Sequence, residues 1–202
     1  MMYKFAKKNN IVTVIESEDL DVGSYTPKFD KEPFTDEEIE KLFDNADKIE
    51  NAEHPLILIY SGMRIMEFLR LETKNIFIKE RYMIGGSKTK AGKDRVIGIS
   101  EKTVKFIEKY YNPDNKYLIL NSEGKPYTYS KYIREIWNPL MEELGMNHTP
   151  HTCKHSCASM LDNAEVNTMV KKKILGHSIG GDITDRYTHK NIQQVIDGIN
   201  MI

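Results

Sequence analysis

Cysteine is nearly absent: Cys153 and Cys157 are the only two in 202 residues. Two cysteines four positions apart are too few for a disulfide framework, and on a helix they fall one turn apart on one face. Both read as reduced thiols of an intracellular protein. Long apolar runs are missing as well. No stretch approaches the roughly eighteen apolar residues a membrane span needs, so no membrane partner is expected. The opening MMYKFAKKNN has no apolar segment and does not read as a secretory signal. Neither charge is in excess: 29 Lys and Arg stand against 30 Asp and Glu, for a net charge of −1. That balance counts against a broadly basic surface, the usual footprint of nucleic-acid binding. Placement matters more than the sum, however. The remainder, 40% hydrophobic and 29% charged, is ordinary for a globular chain long enough for one sizeable domain, alone or with an appendage.

Charge is placed unevenly. Acids crowd residues 30–53, whereas bases gather at 79–95 and 171–173. Residues 1–33 form no clear packed unit and read as a linker or N-terminal arm with one β-prone run, Ile11-Val12-Thr13-Val14-Ile15. Thr35-Asp36-Glu37-Glu38 is a capping box that opens a helix to about Asp47. Pro55 to Tyr60 is a strongly apolar helix, interrupted by Ser61-Gly62 before a second helix from Met63 to Leu71. Three short strands follow: Ile76 to Ile78, Arg81 to Ile84 and Arg95 to Ile99. Helices are then expected over Glu101–Tyr111, Tyr129–Leu144, His151–Asn163 and Thr168–Leu175, and an amphipathic tail helix over 191–202. The fold class is mainly α with a small three-stranded antiparallel β-sheet.

The stretch from His148 to His189 holds His151, Lys154, His155, His177, Tyr187 and His189. A core helix does not need so many titratable groups. His151 and Lys154 are three apart and share a helix face. Gly176 can close a helix and leave His177 at its exposed end. Upstream, Arg64 and Glu67 are three apart at a helix start, behind a Gly62 that lets backbone approach a ligand. Alone, that pair is an ordinary surface ion pair. Lys88, Lys90, Lys93 and Arg95 lie in and beside one hairpin turn and suggest bases aimed at phosphate, though a basic hairpin by itself is more often a solvated turn. The Lys171-Lys172-Lys173 run is either a solvated face or a phosphate contact, with Lys171 or Lys172 the better contact candidates.

Taken together these motifs resemble the tyrosine recombinases, the phage and transposon integrase family, over roughly residues 34–190. The family's H-x-x-R box looks like His151-Thr152-Cys153-Lys154, with Lys in place of Arg. Its L-G-H box looks like Leu175-Gly176-His177, and its T-G-x-R-x-x-E box looks like Ser61-Gly62-Met63-Arg64-Ile65-Met66-Glu67. Its hairpin lysine looks like Lys88 and its nucleophile like Tyr187. The resemblance implies double-stranded DNA as substrate and strand breakage through a 3′-phosphotyrosyl link, for integration or excision of a mobile element. It implies a homotetramer on two duplexes, with tail 191–202 docking in trans on a neighbouring protomer. It also implies a DNA-gripping domain upstream; residues 1–33 are too few to hold one, so the chain reads as a catalytic-domain fragment.

The chemistry suits these residues. A tyrosine oxygen can form the covalent intermediate, but with an ordinary pKa of about 10 it needs help losing its proton. Charge building on the phosphate oxygens calls for fixed cations and N–H donors, and a lysine can protonate the leaving 5′-oxygen. The resemblance then assigns Tyr187 as nucleophile, Arg64 and Lys154 as phosphate clamps and His177 as a donor. His151 is expected to assist proton movement and Lys88 to be the general acid; Glu67 is expected to support the site and His155 the core or the site floor, and Lys90, Lys93, Arg95, Lys171 and Lys172 are the candidate DNA contacts. No metal, nucleotide or other cofactor is required. The His151/Cys153/His155/Cys157 alternation cannot converge on one tetrahedral ion from a single helix. Lys154 is the serious departure, because lysine keeps the charge but loses the two-pronged grip. It leaves open a catalytically impaired DNA-binding or regulatory module on the same fold. A type IB topoisomerase uses similar chemistry, but the motifs resemble integrases more.

Overall fold

The computed structural model describes residues 8, 9, 11, 32–86, 94–177 and 188–202. The chain divides into two units, Met1–Asp30 and Lys31–Ile202, and everything below belongs to the second. Most of the β-prone run at residues 11–15 lies outside the described residues.

Helix α1 (Asp36–Asn45) starts on the expected capping box: the Thr35 hydroxyl accepts from the Glu38 amide and the Glu38 carboxylate accepts from the Thr35 amide. Two backbone hydrogen bonds that a helix start otherwise leaves open are thereby satisfied. Helix α2 (Glu53–Ile59) is buried on every side. It packs along α7 (Pro150–Asn163) and also touches α1 and α4 (Val104–Tyr110). An all-round apolar helix needs such a surround, which explains why EHPLILI lacks a polar face. After a turn at Gly62 comes the single-turn helix α3 (Ile65–Phe68), shorter than the expected Met63–Leu71.

The sheet has the order β1 (Ile76–Phe77), β2 (Tyr82–Gly85), β3 (Arg95–Gly98), antiparallel throughout, with Met83 opposite Ile97 and Gly85 opposite Arg95. All four residues of β3 are buried. Strand side chains alternate between faces, so this requires cover on both. Gly98 lies against Ile199 of α9 (His189–Ile199), while Arg95 and Ile97 face the opposite way, toward the interior.

The expected helix over Tyr129–Leu144 is one continuous rod in three parts: α5 (Tyr129–Tyr132), a π-helical stretch Ile133–Trp137, and α6 (Asn138–Glu143). Pro139 accounts for the wide turn. It has no N–H to give and its ring collides with the carbonyl four residues back in regular α geometry. Widening the turn relieves both, and the Asn138 amide reaches Ile133 O instead. Helix α8 (Thr168–Ile174) and α9 complete the domain. Among the described residues no helix is long and apolar enough to cross a membrane.

The tail helix α9 packs on β3 and α8 of the same chain and buries Val195, Ile196 and Ile199. Lys173 ties it down by donating to Asn191 Oδ1 and, at 3.0 Å, to Gln194 Oε1.

Candidate active site

Arg64 is the first residue built into the site, as the N-cap of α3 with extended backbone (φ −79°, ψ 149°). Glu67, three residues on, turns back and accepts from the Arg64 amide at 2.8 Å and from Arg64 Nη1 at 3.3 Å. The Glu67 side chain is fully buried, whereas that of Arg64 is 37% exposed. The single-turn helix thus buries its acid and presents its guanidinium.

A second guanidinium takes most of that carboxylate. Arg95, from β3, places Nη2 at 2.9 Å from Glu67 Oε2 and Nε at 3.4 Å from Oε1. It also donates to Ile174 O at 2.8 Å and to Gly62 O at 3.2 Å. Burial pushes the Glu67 carboxyl up, but the charge and hydrogen bonds of Arg95, reinforced by Arg64, more than offset this and hold its pKa below the ordinary value. Arg95 was expected among the DNA-contacting bases of the hairpin. The structure corrects this: it is 5% exposed and its donors are spent inside the domain.

Lys154 enters from the first turns of α7, 8% exposed, and donates to Leu175 O at the end of α8. Burial, and then the neighbouring charges of Arg64 and Arg95, bring its pKa down to about 8. His177 stands exposed just past α8. Gly176, at φ +61°, ends that helix: its amide reaches Lys173 O and the His177 amide reaches Lys172 O. This is the double bond pattern of a Schellman closure. A side chain on Gly176 would put Cβ 2.8 Å from Arg95 Cδ and 3.4 Å from Arg64 Nη1. The loop therefore lies directly on the two arginines. Burial and the charges of Lys154 and Arg64 lower the His177 pKa, which keeps the imidazole neutral near pH 7 and able to donate one N–H.

Of the expected site residues, Arg64, Glu67, Lys154 and His177 come together, joined by Arg95. His151 is exposed at the start of α7, its ring edge-on to His155 at 4.8 Å. His155 Nε2 is buried with no hydrogen-bond partner among the described residues. The lysine run divides: Lys171 pairs with Asp162, Lys173 is held by α9, and Lys172 is exposed. Lys88, Lys90, Lys93 and Tyr187 lie outside the described residues. Cys153 and Cys157 are buried while His151 is exposed, so the four do not face one point. His54 and His148 have structural partners. His54 Nδ1 meets Tyr132 Oη at 3.0 Å, and burial, helped by the Lys109 charge, lowers its pKa to about 3. His148 bonds Glu38.

Three cations therefore surround one carboxylate, with the most exposed of them directed outward, an arrangement short of negative charge. The profile of the phage integrase family matches residues 32–194. The chain belongs to that family, and its fold is that of a tyrosine recombinase catalytic domain. It is 28% identical over 192 residues to the tyrosine recombinase XerA of Pyrococcus horikoshii, covering 87% of this chain and 64% of that protein. It is 27% identical over 197 residues to XerD of Staphylococcus haemolyticus, covering 84% and 63%. The chain thus spans just under two thirds of these relatives. Among solved structures, the Tn1549 transposon integrase in complex with circular intermediate DNA superposes with a TM-score of 0.67 at 20% identity, over 96% of this chain and 74% of that one. The integrase from mycobacterium phage Brujita gives 0.69 at 15% identity, over 99% and 67%.

Proposed function

We propose that this chain is the strand-cutting and rejoining domain of a site-specific DNA recombinase, serving integration or excision of a mobile element. The observation that carries the reading is the convergence of Arg64, Lys154 and His177 beside a carboxylate that leaves Arg64 half-exposed. Arg64 presents a planar fork to two oxygens of the scissile phosphodiester. Lys154 and the His177 N–H add charge and a donor where the five-coordinate phosphorus gathers negative charge. Tyr187 attacks the phosphorus and forms the 3′-phosphotyrosyl bond as the 5′-oxygen leaves. His151 assists the tyrosine proton, Lys88 protonates the 5′-oxygen, and His155 supports the imidazole above it. Attack by the 5′-hydroxyl of a second duplex reverses the step and frees Tyr187, so the bond energy is conserved and no cofactor is needed. Double-stranded DNA is the partner, in a homotetramer on two duplexes; exchange of the α9 tail between protomers requires it to leave its seat on β3.

The test is incubation of the full chain with a nicked suicide duplex, selected from a random pool by retention on the wild-type chain. A covalent adduct that Tyr187→Phe abolishes is the expected result. Retention of the duplex without any adduct overturns the strand-cutting reading. It would favour a catalytically impaired, DNA-binding regulatory module on the same fold. One observation favours that second reading: the Lys154 ammonium already donates to Leu175 O and lacks a fork to grip two phosphate oxygens at once.

A further inference from the structure

We infer that Arg95 is a positioning residue of the cutting reaction: it occupies the Glu67 carboxylate so that Arg64 and Lys154 are not drawn fully onto it. The inference rests on the recombinase reading above and adds a residue to it. Two guanidiniums share one acid here, and the geometry shows which takes it. Arg95 Nη2 lies 2.9 Å from Glu67 Oε2, whereas the Arg64 side chain reaches Glu67 at 3.3 Å. The Arg95 side chain is 6% exposed and that of Arg64 37%. A buried carboxylate requires a cation or a proton. Were Arg95 absent, the cations within reach would be Arg64, already at 3.3 Å, and the adjacent Lys154. Drawing Arg64 inward turns its fork away from the substrate side.

Arg95 also bonds Gly62 O, just ahead of the Arg64 turn, and Ile174 O, just ahead of the Leu175-Gly176-His177 loop. Its one planar group thus fixes the spacing of the two loops that carry Arg64 and His177. Lysine at this position could reach Glu67 but not all three acceptors, because five N–H groups in a fixed fork are replaced by one rotating ammonium.

The experiment compares wild type, Arg95→Met, Arg95→Lys, Glu67→Gln and the Glu67→Gln/Arg95→Met double variant. Adduct formation is followed on the selected nicked duplex under single turnover, with duplex retention and thermal unfolding measured beside it. Arg95→Met is expected to slow adduct formation ~10–100-fold, by analogy with losing a group that orients a metal ligand, with retention kept. Arg95→Lys falls between. The double variant, in which no carboxylate is left to capture Arg64, recovers much of the rate. A merely structural role also lets the double variant recover stability, because removing a buried pair whole costs less than leaving one charge unpaired; it differs in predicting that Arg95→Met, assayed well below its unfolding midpoint, cuts at the wild-type rate. The charge logic is also read without DNA, by NMR titration of the Lys154 ammonium. Its pKa rises in Arg95→Met and falls back in the double variant. An unchanged rate in Arg95→Met, or a double variant slower than the single, overturns the inference while leaving the wild-type adduct in place. No adduct from wild type is the separate failure of the recombinase reading, and the Lys154 titration then decides the Arg95 inference alone: an unmoved pKa overturns it.

Discussion

Lys154 sets two pH dependences of opposite sign. Its pKa is about 8 in the folded chain against an ordinary 10.5. Between those values the unfolded chain holds more protons, so the Lys154 contribution makes stability rise with pH over that window. Under the proposed recombinase reading activity runs the other way, because only the ammonium would hold phosphate. The second-order rate of adduct formation is expected to fall as pH climbs through about 8, and Lys154→Arg should remove that fall and raise the rate by up to ~10²-fold. A pH–rate profile of both proteins checks this; a wild-type limb unmoved by the arginine overturns the assignment. Gly176 supplies a second prediction. Gly124 and Gly145 also have positive φ but open space around the would-be Cβ, whereas Gly176 would meet Arg95. Alanine at Gly124 should therefore cost only the left-handed backbone penalty, about 1–2 kcal/mol. Gly176→Ala should cost more and also slow adduct formation, which denaturant midpoints and single-turnover rates will show.

At the scale of elements, α8 separates three lysines that look alike in sequence. Lys171 pairs with Asp162 and Lys173 with α9, leaving Lys172 exposed. Lys172→Ala is expected to reduce the slope of log affinity against log salt by about one, the signature of one lost phosphate contact. Lys171→Ala and Lys173→Ala should leave that slope unchanged, and fluorescence anisotropy across a salt series will tell them apart. Most elements were legible in the sequence. The α1 capping box, the three strands and the helices after them rest on periodicity and caps, which are local. What escaped was set by tertiary cover. Arg95 sits among lysines in a turn-rich stretch and reads as solvated; only α9 on one face of β3 and Glu67 behind the other make it a core residue. The length of α3 and the seat of α9 escaped for the same reason. The π-helical stretch had a local sign, Pro139, that a hydrophobic-period reading passes over. At the site, the order and spacing of Arg64, Glu67, Lys154 and His177 were visible, but the link through Arg95 was not, since it joins acceptors at positions 62, 67 and 174.

For the molecule as a whole, the near-neutral charge hides a separation that the fold maintains, with acids along α1 and cations gathered at the α3–α7–α8 junction. The apolar face of α9 is already covered by β3 and α8, and among the described residues the exposed large apolar side chains, such as Met66, Tyr129 and Met169, come from separate elements. The chain is accordingly expected to sediment as a monomer without DNA; a concentration-dependent dimer in sedimentation velocity would show that α9 exchanges without a duplex. The Arg95 junction has a consequence for the order in which the chain matures. Its three acceptors are separated from it by 33, 28 and 79 residues, and Lys154 meets Leu175 O across another 21. No local segment can form this centre ahead of the rest, because each contact closes a long loop whose entropy only the finished domain repays. A chain still emerging from the ribosome, or one clipped before α8, therefore has no assembled cation centre. The cation centre arrives last, with completion of the fold itself.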